Sequence, residues 1–244
     1  MPLKFVECPS PNHDERPGPV DILVMHYTGM KTAEDALARL TDINPPRVSA
    51  HYTVGRDGCV FRHVPEERRA WHAGVSWWEG ERNVNARSIG IEIVNPGHEF
   101  GYIPFASEQI VAVIELAKGI LSRHAIPPHR VVGHSDVAPA RKEDPGEFFP
   151  WELLSNNGIG AWPSPPPRGE VGTAQPDRVG AEADDVAAAL KRYGYGVAPD
   201  MDVPIAKVIT AFQRHFRPTN IAGVWDDECA TILAALIAAK EAVI

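Results

Sequence analysis

Three cysteines in 244 residues, Cys8, Cys59 and Cys229, are too few and too far apart for a disulfide framework or a cysteine-rich metal knuckle. Such usage fits a reducing compartment. No apolar run approaches the roughly 20 residues that a membrane-spanning helix needs, so membrane insertion is not expected. The N-terminus, Met1-Pro2-Leu3-Lys4-Phe5-Val6-Glu7-Cys8, lacks the apolar region of a secretory signal. Cys8 follows Val6-Glu7 rather than an apolar segment, so no lipoprotein attachment site is read there. A cytoplasmic location is the expectation. A dense Lys/Arg block is also missing: 24 Lys and Arg against 32 Asp and Glu give a formal net charge of -8. Neither nucleic acid nor an anionic membrane surface is therefore expected as a partner.

Proline and glycine are plentiful, and their density peaks between about Ser155 and Asp177, through Ser155-Asn156-Asn157-Gly158-Ile159-Gly160 and Pro163-Ser164-Pro165-Pro166-Pro167. This reads as an extended linker and divides the chain into residues 1–154, a linker 155–180 and a second domain 181–244. In the first part short β-like runs alternate with helical ones. Strands are expected over Ile22 to His26, His51 to Val54, Cys59 to Val64 and Ser88 to Val94. Helices are expected from a Thr32 cap through Leu40 and from a Ser107 cap to before Pro127. After the linker the pattern is helical. Val186, Leu190 and Tyr193 suit one helix, Ile205 to Phe216 a second capped by Asp202, and Ile232 to Ile237 a third capped near Asp226. The fold class expected is α/β, a central mixed β-sheet flanked by helices, followed by a small all-α three-helix domain.

Chemistry concentrates in Val131-Val132-Gly133-His134-Ser135-Asp136-Val137-Ala138-Pro139-Ala140-Arg141-Lys142-Glu143-Asp144. An apolar pair ending in Gly-His reads as a strand end, and the segment behind it as a loop returning Lys142 and Asp144 toward that end. One imidazole and one carboxylate are too few for catalytic zinc, which takes three protein ligands and a water. His26 ends another apolar run, Ile22-Leu23-Val24-Met25-His26, and is the best candidate for the third ligand. Such a site lowers the pKa of water from about 15.7 toward about 7, which points to a hydrolase. In Ser88-Ile89-Gly90-Ile91-Glu92-Ile93-Val94 the isoleucines share one face, so Glu92 lies on the other with Gly90 and Val94. It reads either as a hydrogen-bonded buried carboxylate or as a general base with a raised pKa. Lys142 reads as a solvated loop lysine or, beside a metal ligand, as a stabiliser of a developing oxyanion. Among the other histidines, His72 is taken as pocket-lining, and His51, His63, His98 and His124 as structural or exposed.

Several strings coincide with one family. Met25-His26-Tyr27-Thr28, Ser49-Ala50-His51-Tyr52, Trp71-His72-Ala73-Gly74, Ser88-Ile89-Gly90-Ile91-Glu92 and Gly133-His134-Ser135-Asp136 through Asp144-Pro145-Gly146 resemble zinc-dependent N-acetylmuramoyl-L-alanine amidases. The resemblance is to the amidase-2 or peptidoglycan-recognition-protein type, in particular the AmpD and AmiD branch. It implies Zn2+ held by His26, His134 and Asp144, Glu92 as acid/base and Lys142 as transition-state stabiliser. In phage-lysozyme-like relatives a catalytic tyrosine stands where this chain has Ala50, which shifts the burden to Glu92. The implied substrate is peptidoglycan or a muropeptide. Its recognition is assigned to His72 and, by position and side-chain type, to Trp77, Asn83 and Asn85. Ala211-Phe212-Gln213-Arg214-His215-Phe216 and Gly223-Val224-Trp225-Asp226 resemble a helical peptidoglycan-binding module.

Non-catalytic recognition proteins of this type typically lose a zinc ligand, so the complete set here, with Glu92, favours hydrolysis over a binding-only peptidoglycan sensor. A structural helper that targets a partner through its helical module is a further rival. Within the enzymes, a recycling amidase competes with a wall-degrading amidase or phage endolysin. The missing signal favours soluble anhydro-muropeptides in the cytoplasm; a wall-binding module favours the polymer.

Overall fold

The structure is a computed structural model that describes residues 3–163 and 183–242. In chain order its elements are β1 (Phe5–Glu7), β2 (His13–Glu15), β3 (Ile22–Tyr27), α1 (Ala33–Thr41), β4 (Tyr52–Val54), β5 (Val60–Arg62), β6 (Arg68–Ala70), α2 (Val84–Arg87), β7 (Ser88–Ile93), α3 (Gly97–Phe100), α4 (Ser107–Arg123), β8 (Val131–Gly133), α5 (His134–Val137), α6 (Trp151–Asn156), α7 (Ala183–Tyr193), α8 (Ile205–Phe216) and α9 (Asp227–Glu241). Six strands form one sheet in the order β1-β5-β4-β7-β3-β8, and β2 pairs with β6 separately. Only the β4–β5 hairpin is antiparallel within the large sheet. The expected α/β class with a central mixed sheet flanked by helices is the one observed.

Side-chain alternation decides what covers each face. Leu23 and Met25 of β3 and Ile89, Ile91 and Ile93 of β7 are fully buried, in one cluster with Val113, Ala117 and Ile120 of α4. The intervening Ile22 and Val24 belong to a second cluster on the opposite face. That cluster also contains Trp78, Val132 and Val137, and runs on into Leu190, Phe212, Phe216 and Leu233 of the three C-terminal helices. Those helices therefore pack on the sheet face that also carries His26, and share its core. Being buried on both sides is what a strand inside a largely parallel sheet requires.

Element ends differ slightly from expectation. Thr32 caps α1 through its side chain, and Asp226 caps α9 in the same way. Ser107 is the first residue of α4 rather than its cap, which is Ala106. Pro204, not Asp202, stands at the cap of α8, because its fixed φ already suits a helix entrance. Residues expected to open the linker are instead packed: α6 runs to Asn156, and Ile159 is wholly buried in the α4-side core. The rest of the proline-rich stretch, 164–182, lies outside the described residues. Among the described residues no helix is long and apolar enough to cross a membrane.

Candidate metal centre

Parallel pairing in register sets three functional side chains next to one another. His26 on β3 is paired with Glu92 on β7, and Met25 with Gly133 on β8, so that His134 follows immediately beyond. All three stand at the carboxyl ends of adjacent parallel strands, where open α/β sheets form their ligand sites. The loop after α5 returns Asp144, whose carbonyl accepts the Ser135 N–H at 2.9 Å. His26, His134 and Asp144 are all buried, and their Nδ1, Nδ1 and Oδ2 atoms form a triangle with sides of 2.9, 3.0 and 3.1 Å.

The surrounding hydrogen bonds settle which ring nitrogens carry protons. His134 Nε2 lies 3.0 Å from the Ala73 carbonyl, which can only accept, so Nε2 carries the proton of the neutral ring and Nδ1 is the nitrogen left for a metal. The Ser88 hydroxyl donates to the Val84 carbonyl at 2.6 Å, and so accepts from His72 Nε2 at 3.2 Å. His72 Nδ1 is then an acceptor, and the proton in its 3.0 Å contact with His26 belongs to His26 Nε2. This leaves His26 Nδ1 bare as well. Burial first, and then the neighbouring His134, lowers the His26 pKa to about 4, so the ring is neutral at pH 7. Two imidazole lone pairs and a carboxylate oxygen thus converge on one point. Three acceptors are stable in that arrangement only with a cation between them, and this donor set suits zinc.

Glu92 and Lys142 line the cleft of about 460 Å³ that opens over this triangle, together with His72, His134 and Asp144. Burial and then the Asp144 charge push the Glu92 carboxyl well above its ordinary range, with Lys142 opposing. Its Oε2 is buried without a hydrogen-bond partner among the described residues. Lys142 is partly buried and makes no ion pair among the described residues.

Trp77, Asn83 and Asn85 do not line this cleft. Trp77 is buried with the Arg82 guanidinium 4.8 Å over its ring, on the side that meets Gly196. Asn83 is exposed at the start of α2. The Asn85 side-chain Oδ1 accepts the His72 and Ala73 N–H groups at 3.1 and 2.8 Å, which fixes the loop that bears His72. An amide that closely follows an aromatic stretch looks like a ligand contact in sequence, whereas its hydrogen bonds go to the backbone of His72 and Ala73. Ser88, which completes the chain of rings, was legible in principle, since it shares a strand face with Gly90 and Glu92. His51 accepts the Gly90 N–H at 3.0 Å and is structural as expected.

Gly90 makes room for the arrangement. A Cβ there would meet His72 Cγ at 2.5 Å, so the ring lies against bare backbone. Gly90→Ala is expected to displace His72, to cost about 1–3 kcal/mol by overpacking, and to weaken zinc binding about 10–100-fold through the lost partner of His26. Thermal melting and competition with a zinc-binding dye measure the two effects. Unchanged zinc affinity would show that His72 does not govern His26.

Residues 16–147 match the family model described as N-acetylmuramoyl-L-alanine amidase, Amidase_2. The chain is 40% identical over 232 residues to the N-acetylmuramoyl-L-alanine amidase AmiD of Escherichia coli, an overlap of 89% of this chain and 82% of the relative. It is 36% identical over 162 residues to the 1,6-anhydro-N-acetylmuramyl-L-alanine amidase AmpD of Haemophilus influenzae, covering 59% of this chain and 86% of that one. Among solved structures, Escherichia coli AmiD in complex with the substrate anhydro-N-acetylmuramic acid-L-Ala-D-gamma-Glu-L-Lys superposes with a TM-score of 0.79, covering 90% of this chain and 89% of AmiD. AmpDh3 of Pseudomonas aeruginosa in complex with anhydromuramic pentapeptide gives a TM-score of 0.78 at 38% identity, covering 91% and 92%.

Proposed function

Because the chain belongs to the N-acetylmuramoyl-L-alanine amidase family Amidase_2, we propose that it uses zinc to hydrolyse soluble anhydro-muropeptides in cell-wall turnover and recycling. The bond cut is the amide between the lactyl group of N-acetylmuramic acid and the L-alanine of the stem peptide. The observation that carries this reading is the convergence of three bare acceptor atoms, His26 Nδ1, His134 Nδ1 and Asp144 Oδ2, below a cleft that also holds an unpartnered carboxylate oxygen. The substrates seen with AmiD and AmpDh3 support the choice of anhydro-muropeptides.

Zinc held by these three side chains supplies Lewis acidity and makes water a competent nucleophile near neutral pH. The remaining work falls to the chain's own residues. Glu92, with a free Oε2 and a raised proton affinity, takes the proton of the attacking water and later delivers one to the leaving nitrogen. The Lys142 ammonium, uncommitted to any ion pair among the described residues, faces the negative charge that develops on the lactyl oxygen. His72 and Ala73 keep both imidazoles in the tautomer that binds metal. Water is consumed, and the products are the free lactyl acid and a stem peptide with a new amino terminus.

Mass spectrometry of products from zinc-loaded protein tests the proposal. Incubation with soluble anhydro-muropeptides is expected to release free stem peptide, to stop on chelation and to resume on adding zinc. No release from soluble substrate or from sacculi, or release indifferent to the chelator, would sink it. Release from sacculi alone would replace the recycling role by wall degradation.

A further inference from the structure

We infer that Tyr195 and His215 of the C-terminal helical region are positioning residues of the metal site, acting through the carboxylate of Asp136 on the backbone that carries His134. The inference rests on the metal reading above.

Asp136 is fully buried two residues after His134, in the four-residue helix α5. So short a helix has almost no stability of its own, and its geometry is whatever its contacts impose. A buried carboxylate must find donors. Asp136 Oδ2 accepts the Gly133 N–H at 2.7 Å, directly before His134, and His215 Nδ1 lies 2.7 Å from the same oxygen. Oδ1 accepts the Tyr195 hydroxyl at 2.8 Å. Two of the three side-chain and backbone donors that hold this turn therefore come from beyond residue 183.

Neither donor can drift. Tyr195 is wholly buried, and the His215 ring is stacked between Trp151 of α6 and Phe216, with ring centroids 3.7 and 3.9 Å away. The neighbouring Arg214 reaches the other ligand: it donates to Glu143, next to Asp144, at 2.9 Å. Adjacent residues of one helix thus hold the metal-bearing segment on both sides, beside His134 and beside Asp144. The same Ala211–Phe216 string resembles a wall-binding motif in sequence, yet Phe212, Gln213, His215 and Phe216 are all buried. These side chains are committed to the junction and to the helical core rather than to an outer ligand surface.

A contact that only held the two parts together would look similar, so the test separates docking from positioning. Tyr195→Phe removes one hydroxyl, and His215→Phe removes the ring donor while keeping a ring to stack; both are made in the full chain. The Glu79–Lys240 ion pair crosses the same junction without touching the metal segment, so Lys240→Met is the control. Zinc affinity is measured by competition with a chelating dye, and ligand geometry by the visible absorption of the cobalt(II) form. Each single variant is expected to weaken zinc about 10-fold and the pair about 100-fold, with shifted cobalt bands and lower kcat at saturating zinc, while KM holds. Lys240→Met should bind zinc within about twofold of the parent even where its melting temperature falls. Should the double variant not fold, Tyr195→Phe alone decides. Parent-like zinc affinity and an unchanged cobalt spectrum in Tyr195→Phe would overturn the inference while leaving the metal reading intact. A parent chain that binds no zinc would overturn both.

Discussion

Asp144→Asn is expected to abolish zinc binding and hydrolysis together while the fold survives. The amide has the carboxylate's shape but no charge, and its N–H₂ can donate to the two bare Nδ1 atoms that lie 3.0 and 3.1 Å from Asp144 Oδ2. The buried cluster is then satisfied internally, with a donor where the cation would sit. Its electrostatic attraction for a divalent ion falls, and one ligand is lost outright. Zinc affinity should drop by more than the roughly 10–100-fold that follows loss of an outer partner. Dye competition reads this directly, and activity at a fixed low zinc concentration should fall at least as far. Melting of the metal-free protein should change by only a few degrees, since about 1 kcal/mol shifts a chain of this size by roughly 2–4 °C. Parent-like zinc binding by the variant would remove Asp144 from the ligand set, and collapse of the fold would mean that the cluster is structural first.

The grouping of His26, His134 and Asp144 was legible because metal chemistry uses residue types that composition alone does not place at strand ends. His26 and His134 close apolar runs, and Asp144 follows within one loop. Period-two alternation likewise gave the two faces of β7, with Ile89, Ile91 and Ile93 in the core and Glu92 on the other side. Strands of three residues such as β1, β2 and β6 carry too little periodicity to be seen. Sheet order was also hidden, because β3 finds its neighbours β7 and β8 through pairings that span most of the first domain. The same holds for the support of the site. Tyr195 and His215 lie 59 and 79 residues from Asp136 in sequence, and no local pattern links them. Trp77 lies away from the cleft for a related reason: what an aromatic side chain faces is decided by the element that arrives from elsewhere, here the segment around Gly196.

Glu92→Gln should separate proton transfer from metal binding. Glutamine fills the same volume and can hydrogen-bond, but it cannot accept and return a proton at neutral pH. A positioned general base contributes about 10²–10⁴-fold, so kcat should fall by that factor, with KM and zinc affinity within a few-fold of the parent. The stability of the metal-free protein should move the other way. Burial and the Asp144 charge raise the Glu92 carboxyl above its ordinary 4.5, so between that value and the raised one the folded state binds the proton that the unfolded state has released. Over this window stability falls as pH rises, and above it the ionised, unpartnered carboxylate remains a cost. The glutamine variant lacks this term, so its melting temperature should exceed the parent's at neutral pH and approach it in acid. Melting curves against pH without metal, set beside kcat with zinc, give both halves of the result. A variant that retains parental kcat would assign proton transfer to another group. One that loses zinc along with activity would make Glu92 part of the metal site rather than its acid/base.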